Sequence, residues 1–451
     1  MEYKDKNVLV VGMAKSGVAS AVLLCQLGAN VTIYDMKPKK HLPEGLLDDL
    51  KEFAYDELLG KDPIDCIEKM DCLVLSPGVP LGLPFIKKAY ALNKKIIAEI
   101  ELGFSVSKAD FIAITGTNGK TTTTALTGEI FKNAGIHTFV LGNIGVPITQ
   151  EAMQTKPGDV VVAETAALQL DTVDSYKPKE SAILNLTEDH LDRYITMENY
   201  ISAKAKIFKN QTASDYCVLN YDNELVRALE PQIAAKVVWF STENELCDGA
   251  FVKNGDIIFA LNGKETLIMP AKELRIPGKH NLENALAATA LACLYGIKSD
   301  VVARTLQSFA GVEHRIEFVK EVNGITFIND SKGTNPDATI NAVRAMDRPT
   351  VLLLGGYDKK NDFVSLFREF TPNIKAVIVL GDTANKIIDA AIKVGYENYI
   401  KATGFEDAVL KAYSIAQDGD AVLLSPACAS WDMFENFEQR GEVFKNIVKG
   451  L

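Results

Sequence analysis

The sequence predicts an α/β protein of three consecutive domains, on three observations. Apolar strands, glycine turns and helical stretches succeed one another in three separate series. Two of these series open on a glycine loop between a strand and a helix, the arrangement that cradles phosphate. The 451 residues suffice for three packed cores at roughly 150 residues per domain.

Hydrophobic residues make up 47% and charged residues 24%, the balance of a globular chain. A formal charge of -11 argues against a broad surface for nucleic acid or anionic membrane. An anionic ligand must then be held by local lysines, arginines and backbone amides. The seven cysteines are scattered without a C-x-x-C pair, which indicates neither a zinc framework nor a disulfide scaffold. MEYKDKN runs directly into a strand without a signal-peptide core, and no apolar run approaches about 18 residues. The expectation is a cytoplasmic protein with small-molecule partners, no nucleic acid and no membrane. No interface stripe stands out, so a monomer is the default.

In the first series NVLVV, VTIYD, CLVLSPG and KKIIAEI read as buried parallel strands of a Rossmann-like domain, residues 1–100. The second, residues 101–311, carries FIAITG, HTFVLG, DVVVAE, SAILNLT and YCVLN in a mostly parallel sheet. After Val237 the pattern changes to hairpins of a small antiparallel sheet, with turns at Asn254-Gly255 and Asn262-Gly263. An Ala-rich helix follows from Asn281. The third series, residues 312–451, is again Rossmann-like, with strands near ITFIND, TVLLLGG, AVIVLG and AVLLSPA.

The first glycine loop, Gly12-Met13-Ala14-Lys15-Ser16-Gly17, is close to G-x-G-x-x-G but carries alanine at the second glycine. The next strand ends in Asp35, near the distance of an acid that reads a ribose. A nucleotide diphosphate is expected here; NAD and a UDP-sugar are not separated by these residues. The second loop, Gly116-Thr117-Asn118-Gly119-Lys120-Thr121-Thr122, shares the core of a P-loop in a shorter turn, since Ile114 stands where the longer pattern needs glycine. Its amides and Lys120 suit the phosphates of ATP, and Thr121 suits Mg²⁺. Glu164, at the exit of DVVVAE, and His190, in TEDHLDRY, make a candidate metal pair; Asp189 alone reads as a loop cap.

GTNGKT, NLTEDHLDRY, YISAKAKIF, GKHNLENALAA and EHRIEF, in this order and spacing, resemble the Mur ligases, ATP-dependent amide-bond-forming enzymes of peptidoglycan precursor synthesis. FINDSKGTNPDAT, LLLGGYDK and LLSPACASWDMFENFEQRGEVF resemble the members that add D-glutamate to UDP-N-acetylmuramoyl-L-alanine. The resemblance runs from about Val8 to Phe444. It implies that the first loop holds the UDP-sugar and the second holds ATP, and that the reaction passes through an acyl phosphate.

The resemblance also assigns residues. Lys120, Asn143, His190 and Lys204 are the implied catalytic group. ATP is implied on Gly116 to Thr122, on Asn281 and Asn284, and on Arg315 and Asp330, with His314 beside them. The UDP-sugar is implied on Lys15, Ser16, Asp35, Lys37 and Gly78, and on Asn143, Gln169 and His190. D-glutamate falls to Lys332, Thr334, Lys359, Ser430 and Phe437; core packing is the plain alternative for Phe437. Two Mg²⁺ ions are implied on Thr121, Glu164, His190 and Lys204, the last as a carbamate that turns an ammonium into an oxygen ligand.

Two departures stand out. The family's E-L-S-S-F-Q-L appears as Glu164 to Leu170 with Ala166 and Ala167 in place of the serines, which puts a hydrogen bond to the sugar nucleotide in doubt. Tyr357 stands where a smaller acidic residue is common, and is expected to change the approach to Lys359. Three rival readings stand beside this one. An NAD oxidoreductase leaves the second loop unexplained. A GTPase-like switch lacks its acid, since Ile388 occupies the acid's place of N-K-x-D after Asn385-Lys386. A sister ligase adding another amino acid is the serious alternative; the folate ligases lack such a first domain.

Overall fold

The computed structural model describes residues 3–143, 145–276, 278–359 and 361–451; of Asp192 only the backbone is described. Three sheets follow one another. The first comprises β1 (Asn7–Val11), β2 (Asn30–Asp35), β3 (Asp56–Leu59), β4 (Cys72–Leu75) and β5 (Lys95–Ala98). Their order is β3-β2-β1-β4-β5, all parallel. Order reverses between β1 and β4, which opens a crevice at their carboxyl ends.

The second sheet holds β6 (Asp110–Thr115), β7 (Thr138–Gly142), β8 (Val160–Glu164), β9 (Glu180–Ile183) and β10 (Tyr216–Asn220). It continues with β11 (Lys236–Ser241), β12 (Gly249–Lys253), β13 (Asp256–Leu261) and β14 (Lys264–Pro270). The order is β14-β13-β12-β11-β10-β9-β6-β8-β7. The antiparallel strands are therefore not a separate small sheet. β12 pairs parallel with β11, so the hairpins extend the nine-stranded sheet. Both predicted turns form, with Asn254-Gly255 at φ 52 and 86° and Asn262-Gly263 at 53 and 75°, as a two-residue hairpin requires.

β6 and β8 are buried on both faces by helices, hence their unbroken apolar runs. The helix Lys279–Leu294 packs on the helix Lys120–Asn133, and its alanines 285, 287, 288, 290 and 292 are fully buried. Small side chains let the two backbones approach and hold the second glycine loop from behind.

The third sheet comprises β15 (Glu317–Val322), β16 (Ile325–Asn329), β17 (Thr350–Gly355), β18 (Ile374–Leu380), β19 (Tyr399–Lys401) and β20 (Ala421–Leu424). The order is β15-β16-β20-β17-β18-β19, with only β15 antiparallel. The loops after β16, β20 and β17 thus leave one edge side by side. Among the described residues no helix is long and apolar enough to cross a membrane.

Candidate active site

The second glycine loop leaves β6 into the helix Lys120–Asn133. Gly119 has φ +81°, and a Cβ there would lie 2.3 Å from Asn284 Oδ1, so no side chain fits. Lys120 folds back over the loop, donating to Gly116 O at 3.0 Å and Thr117 O at 2.7 Å. Burial lowers its pKa, with Glu164 and Asp189 acting in the opposite direction. Thr121 is buried in the first helical turn.

The neighbouring strand ends converge on this loop. Glu164, ending β8, is 1% exposed; its Oε1 accepts from Asn143 Nδ2 at 2.8 Å, while its buried Oε2 has no hydrogen-bond partner. Such an orphan is costly unless a cation or donor reaches it. His190 follows β9 in a left-handed conformation, φ 53°, with its amide on Asp189 Oδ1 at 2.9 Å. Burial lowers the His190 pKa against the pull of Asp189. Lys204, on the helix Met197–Ala205, is 1% exposed and donates to Gly116 O at 2.7 Å. Its ammonium lies 4.6 Å from the Tyr200 ring centroid. Burial, then Lys120, pull its pKa well down.

A cavity of about 240 Å³ is lined by Asn118, Gly119, Thr122, Asn284 and Arg315. Asn281 lines an adjoining cavity that shares Thr122 and Arg315. Arg315 reaches them because His314 and Ile316 on either side take positive φ, 63 and 47°. Its guanidinium lies 3.4 Å from the fully buried Asp330, whose pKa burial raises. His314 itself turns inward, its Nδ1 2.9 Å from Asn329 Nδ2, and lines neither cavity.

The first glycine loop is held differently. Gly17 is required by packing, since a Cβ would meet Gly12 O at 1.9 Å. Ser76, after β4, donates to Gly12 O at 2.8 Å, which ties the two strand ends together. Both Asp35 oxygens accept from backbone, Met13 N at 2.8 Å and Lys37 N at 2.9 Å. Asp35 thus fixes the loop from both of its oxygens. Lys15, Lys37 and Gly78 are exposed at the crevice, and Ser16 is half-buried. Gln169 is 2% exposed with its Oε1 on Ala166 N at 2.9 Å. Thr165 turns inward to Ala163 O at 3.3 Å, so it does not replace the missing serine hydroxyls at the surface.

The chain matches the sequence profiles described as Mur ligase MurD-like, N-terminal domain over residues 6–98, Mur ligase middle domain over 114–292, and Mur ligase, glutamate ligase domain over 314–428. Relatives from Alkaliphilus oremlandii and Thermoanaerobacter pseudethanolicus are each 48% identical over the full length of both chains. Each is named UDP-N-acetylmuramoylalanine--D-glutamate ligase. The chain belongs to the Mur ligase family.

Two solved structures share the fold of this Mur ligase chain: MurF from Acinetobacter baumannii (TM-score 0.63, 15% identity, 99% of this chain and 91% of that one) and a pseudomurein peptide ligase type C from Methanothermus fervidus (TM-score 0.61, 20% identity, 99% and 100%).

On the third sheet of the Mur ligase chain, Lys332 lies 5.0 Å over the Phe437 ring, and burial lowers its pKa to about 8. Thr334 N donates to Lys332 O at 2.9 Å. Ser430 is 2% exposed, in the turn that ends beside Trp431. Lys359 lines a cavity of about 670 Å³ with Asp189 and His190, which brings the third sheet opposite the second. Phe437 is half-buried and touches Lys332, so it is more than core.

Sequence reasoning missed two supports. Asn185 clamps the second loop, accepting from Asn118 N at 2.8 Å and donating to Asn118 O at 3.1 Å. Arg193 joins Val79 O, after β4, to Asp171 at 3.2 and 3.1 Å. Both stand inside the quoted NLTEDHLDRY segment, where only the acids and the histidine drew notice. The cluster Glu313, His314 and Glu442 has cation-site spacing, but Lys445 pairs with both acids.

Proposed function

We propose that the chain joins D-glutamate to UDP-N-acetylmuramoyl-L-alanine with ATP, releasing ADP and phosphate, as a cytoplasmic monomer in peptidoglycan precursor synthesis. The observation that carries this reading is full-length 48% identity to relatives of that name. It is supported by the convergence of the loops after β6, β8 and β9 on one cleft. In this reading residues 1–100 hold the UDP-sugar, 101–311 hold ATP, and 312–451 bring the amino acid and cover the nucleotide.

The amides of Gly116 to Thr122 and the Lys120 ammonium bind the phosphates and neutralise their charge as the γ-phosphoryl moves to the substrate carboxylate. Asn284 and Arg315 line the nucleotide cavity, with Asn281 next to it and Asp330 fixing Arg315. Asn143 and His190 orient the carboxylate; Lys15, Ser16, Lys37, Gly78 and Gln169 surround the UDP-sugar, and Asp35 sets its loop. The amino group of D-glutamate then attacks the acyl carbon, the carbon–oxygen bond to phosphate breaks, and phosphate departs. Lys332 and Lys359 face the two carboxylates of the amino acid, with Thr334, Ser430 and Phe437 shaping the pocket.

The orphaned Glu164 oxygen fits a hard cation. Thr121 and Glu164 would hold one Mg²⁺, and His190 with a carbamylated Lys204 a second. These ions supply charge neutralisation between phosphate and carboxylate. Lys204 is suited to carbamylation because it is buried and, among the described residues, has no ion-pair partner.

The test is phosphate release from ATP and Mg²⁺ with UDP-N-acetylmuramoyl-L-alanine, offering D-glutamate, L-glutamate, L-alanine and L-lysine separately. Release with D-glutamate alone is expected. Release with another amino acid would keep the ligase and overturn the assignment of Lys332, Thr334 and Lys359.

A further inference from the structure

The loops after β17 and β20 are joined by an isolated antiparallel bridge, with Tyr357 N donating to Ala429 O at 2.9 Å. Gly356 permits it: its φ is +146°, and a Cβ there would lie 2.3 Å from Ala429 O. The bridge sets the rings of Tyr357 and Trp431 at 5.4 Å and 59°. Both stay open to solvent, Tyr357 at 41% and Trp431 at 62% exposure. Core packing explains neither, because a packing tryptophan is covered.

What Trp431 faces is Lys359. Its ammonium lies 5.9 Å from the Trp431 ring centroid, within reach of the ring's negative face. Among the described residues Lys359 has no ion-pair partner. The adjacent Asp358 is engaged by Lys386 at 3.0 and 3.1 Å. Lys332 is seated in the same way, 5.0 Å over Phe437. Each cation is thus held by an aromatic face, which steadies an ammonium without neutralising it. A carboxylate partner would compete with an incoming acid; a ring does not.

We propose that Tyr357 and Trp431 form a positioning wall that aims Lys359 at a carboxylate of the acidic amino-acid substrate. The proposal rests on the reading of Lys359 given above and deepens it: the wall sets amino-acid affinity and leaves the ATP side untouched. Tyr357, which departs from the smaller acid common at its position, is then the support of the tryptophan.

The chain has two tryptophans, Trp239 in β11 and Trp431, so emission reports the wall directly. D-glutamate added to protein with UDP-N-acetylmuramoyl-L-alanine and a non-hydrolysable ATP analogue is expected to change the emission of the parent but not of Trp431→Phe. In phosphate release, Trp431→Ala is expected to raise KM for D-glutamate about three- to fivefold, with kcat and KM for ATP unchanged. Trp431→Phe should restore most of it. In a Lys359→Met background, Trp431→Ala should add nothing. Parental KM in Trp431→Ala, the same rise with and without Lys359, or an emission indifferent to D-glutamate would each overturn the proposal. A parent protein that releases no phosphate with D-glutamate, but does with another amino acid, overturns the reading beneath it instead.

Discussion

The two glycine loops share a strand–turn–helix plan and differ in what holds them. The first is braced from outside. Asp35 and Ser76 fix its backbone, while Lys15 and Ala14 stand in solvent. The second is braced from within, by Lys120, Lys204 and the Asn185 clamp on its own carbonyls and amides. Three polar side chains pointed at one loop leave little freedom for substitution. An exposed loop secured by two distant contacts tolerates an alanine in place of the second glycine. That is why one motif was decisive in the sequence and the other was not.

The difference can be broken most severely at the second loop. Lys120→Ala is expected to lower kcat by about 10³-fold or more, read by phosphate release with all substrates saturating. Lys204→Ala should come close to the same loss. Recovery on adding short carboxylic acids would support an oxygen ligand at that position, and an active Lys204→Ala protein in CO₂-free buffer would remove the carbamate. Asn185→Ala leaves the reacting groups in place but frees the Asn118 peptide. Its expected signature is a rise of about tenfold in KM for ATP, at the cost of one or two hydrogen bonds, with KM for the UDP-sugar unchanged. At the first loop, Asp35→Ala should raise KM for the UDP-sugar by about fivefold to tenfold and spare ATP. Ala14→Gly is the smallest change, within about twofold in every constant, because the side chain it removes is exposed.

The fold was legible wherever strands were buried on both faces. β1, β4, β6, β8, β17 and β20 read as apolar runs because helices cover them. β3, β15 and β19 lie at sheet edges, half open to solvent, and Asp56–Leu59 or Tyr399–Lys401 carries no apolar run to notice. The union of the hairpins with the central sheet was hidden for another reason. Pairing of β11 with β12 is a long-range register, and periodicity records only which face each strand buries.

At the site, residues whose chemistry demands their type could be named: Gly119, Lys120, Glu164 and His190. The orphaned oxygen of Glu164 could not be foreseen, since it depends on how Asn143 takes its neighbour. Asp35 and His314 show the converse: their type and spacing suggested ligand contact, and the bonds each makes to the protein's own backbone or interior could not be read from the sequence. Asn185 and Arg193 were invisible as supports because an amide or guanidinium reads the same whether it faces a ligand or a carbonyl.

The central claim is that the two loops serve two different nucleotides in one reaction. Calorimetric binding of UDP-N-acetylmuramoyl-L-alanine and of a non-hydrolysable ATP analogue to Lys120→Ala and Asp35→Ala tests it most directly. The account predicts a crossed result: Lys120→Ala weakens the ATP analogue and keeps the UDP-sugar, and Asp35→Ala weakens the UDP-sugar about fivefold to tenfold and keeps the ATP analogue. Loss of the same ligand in both variants would contradict it.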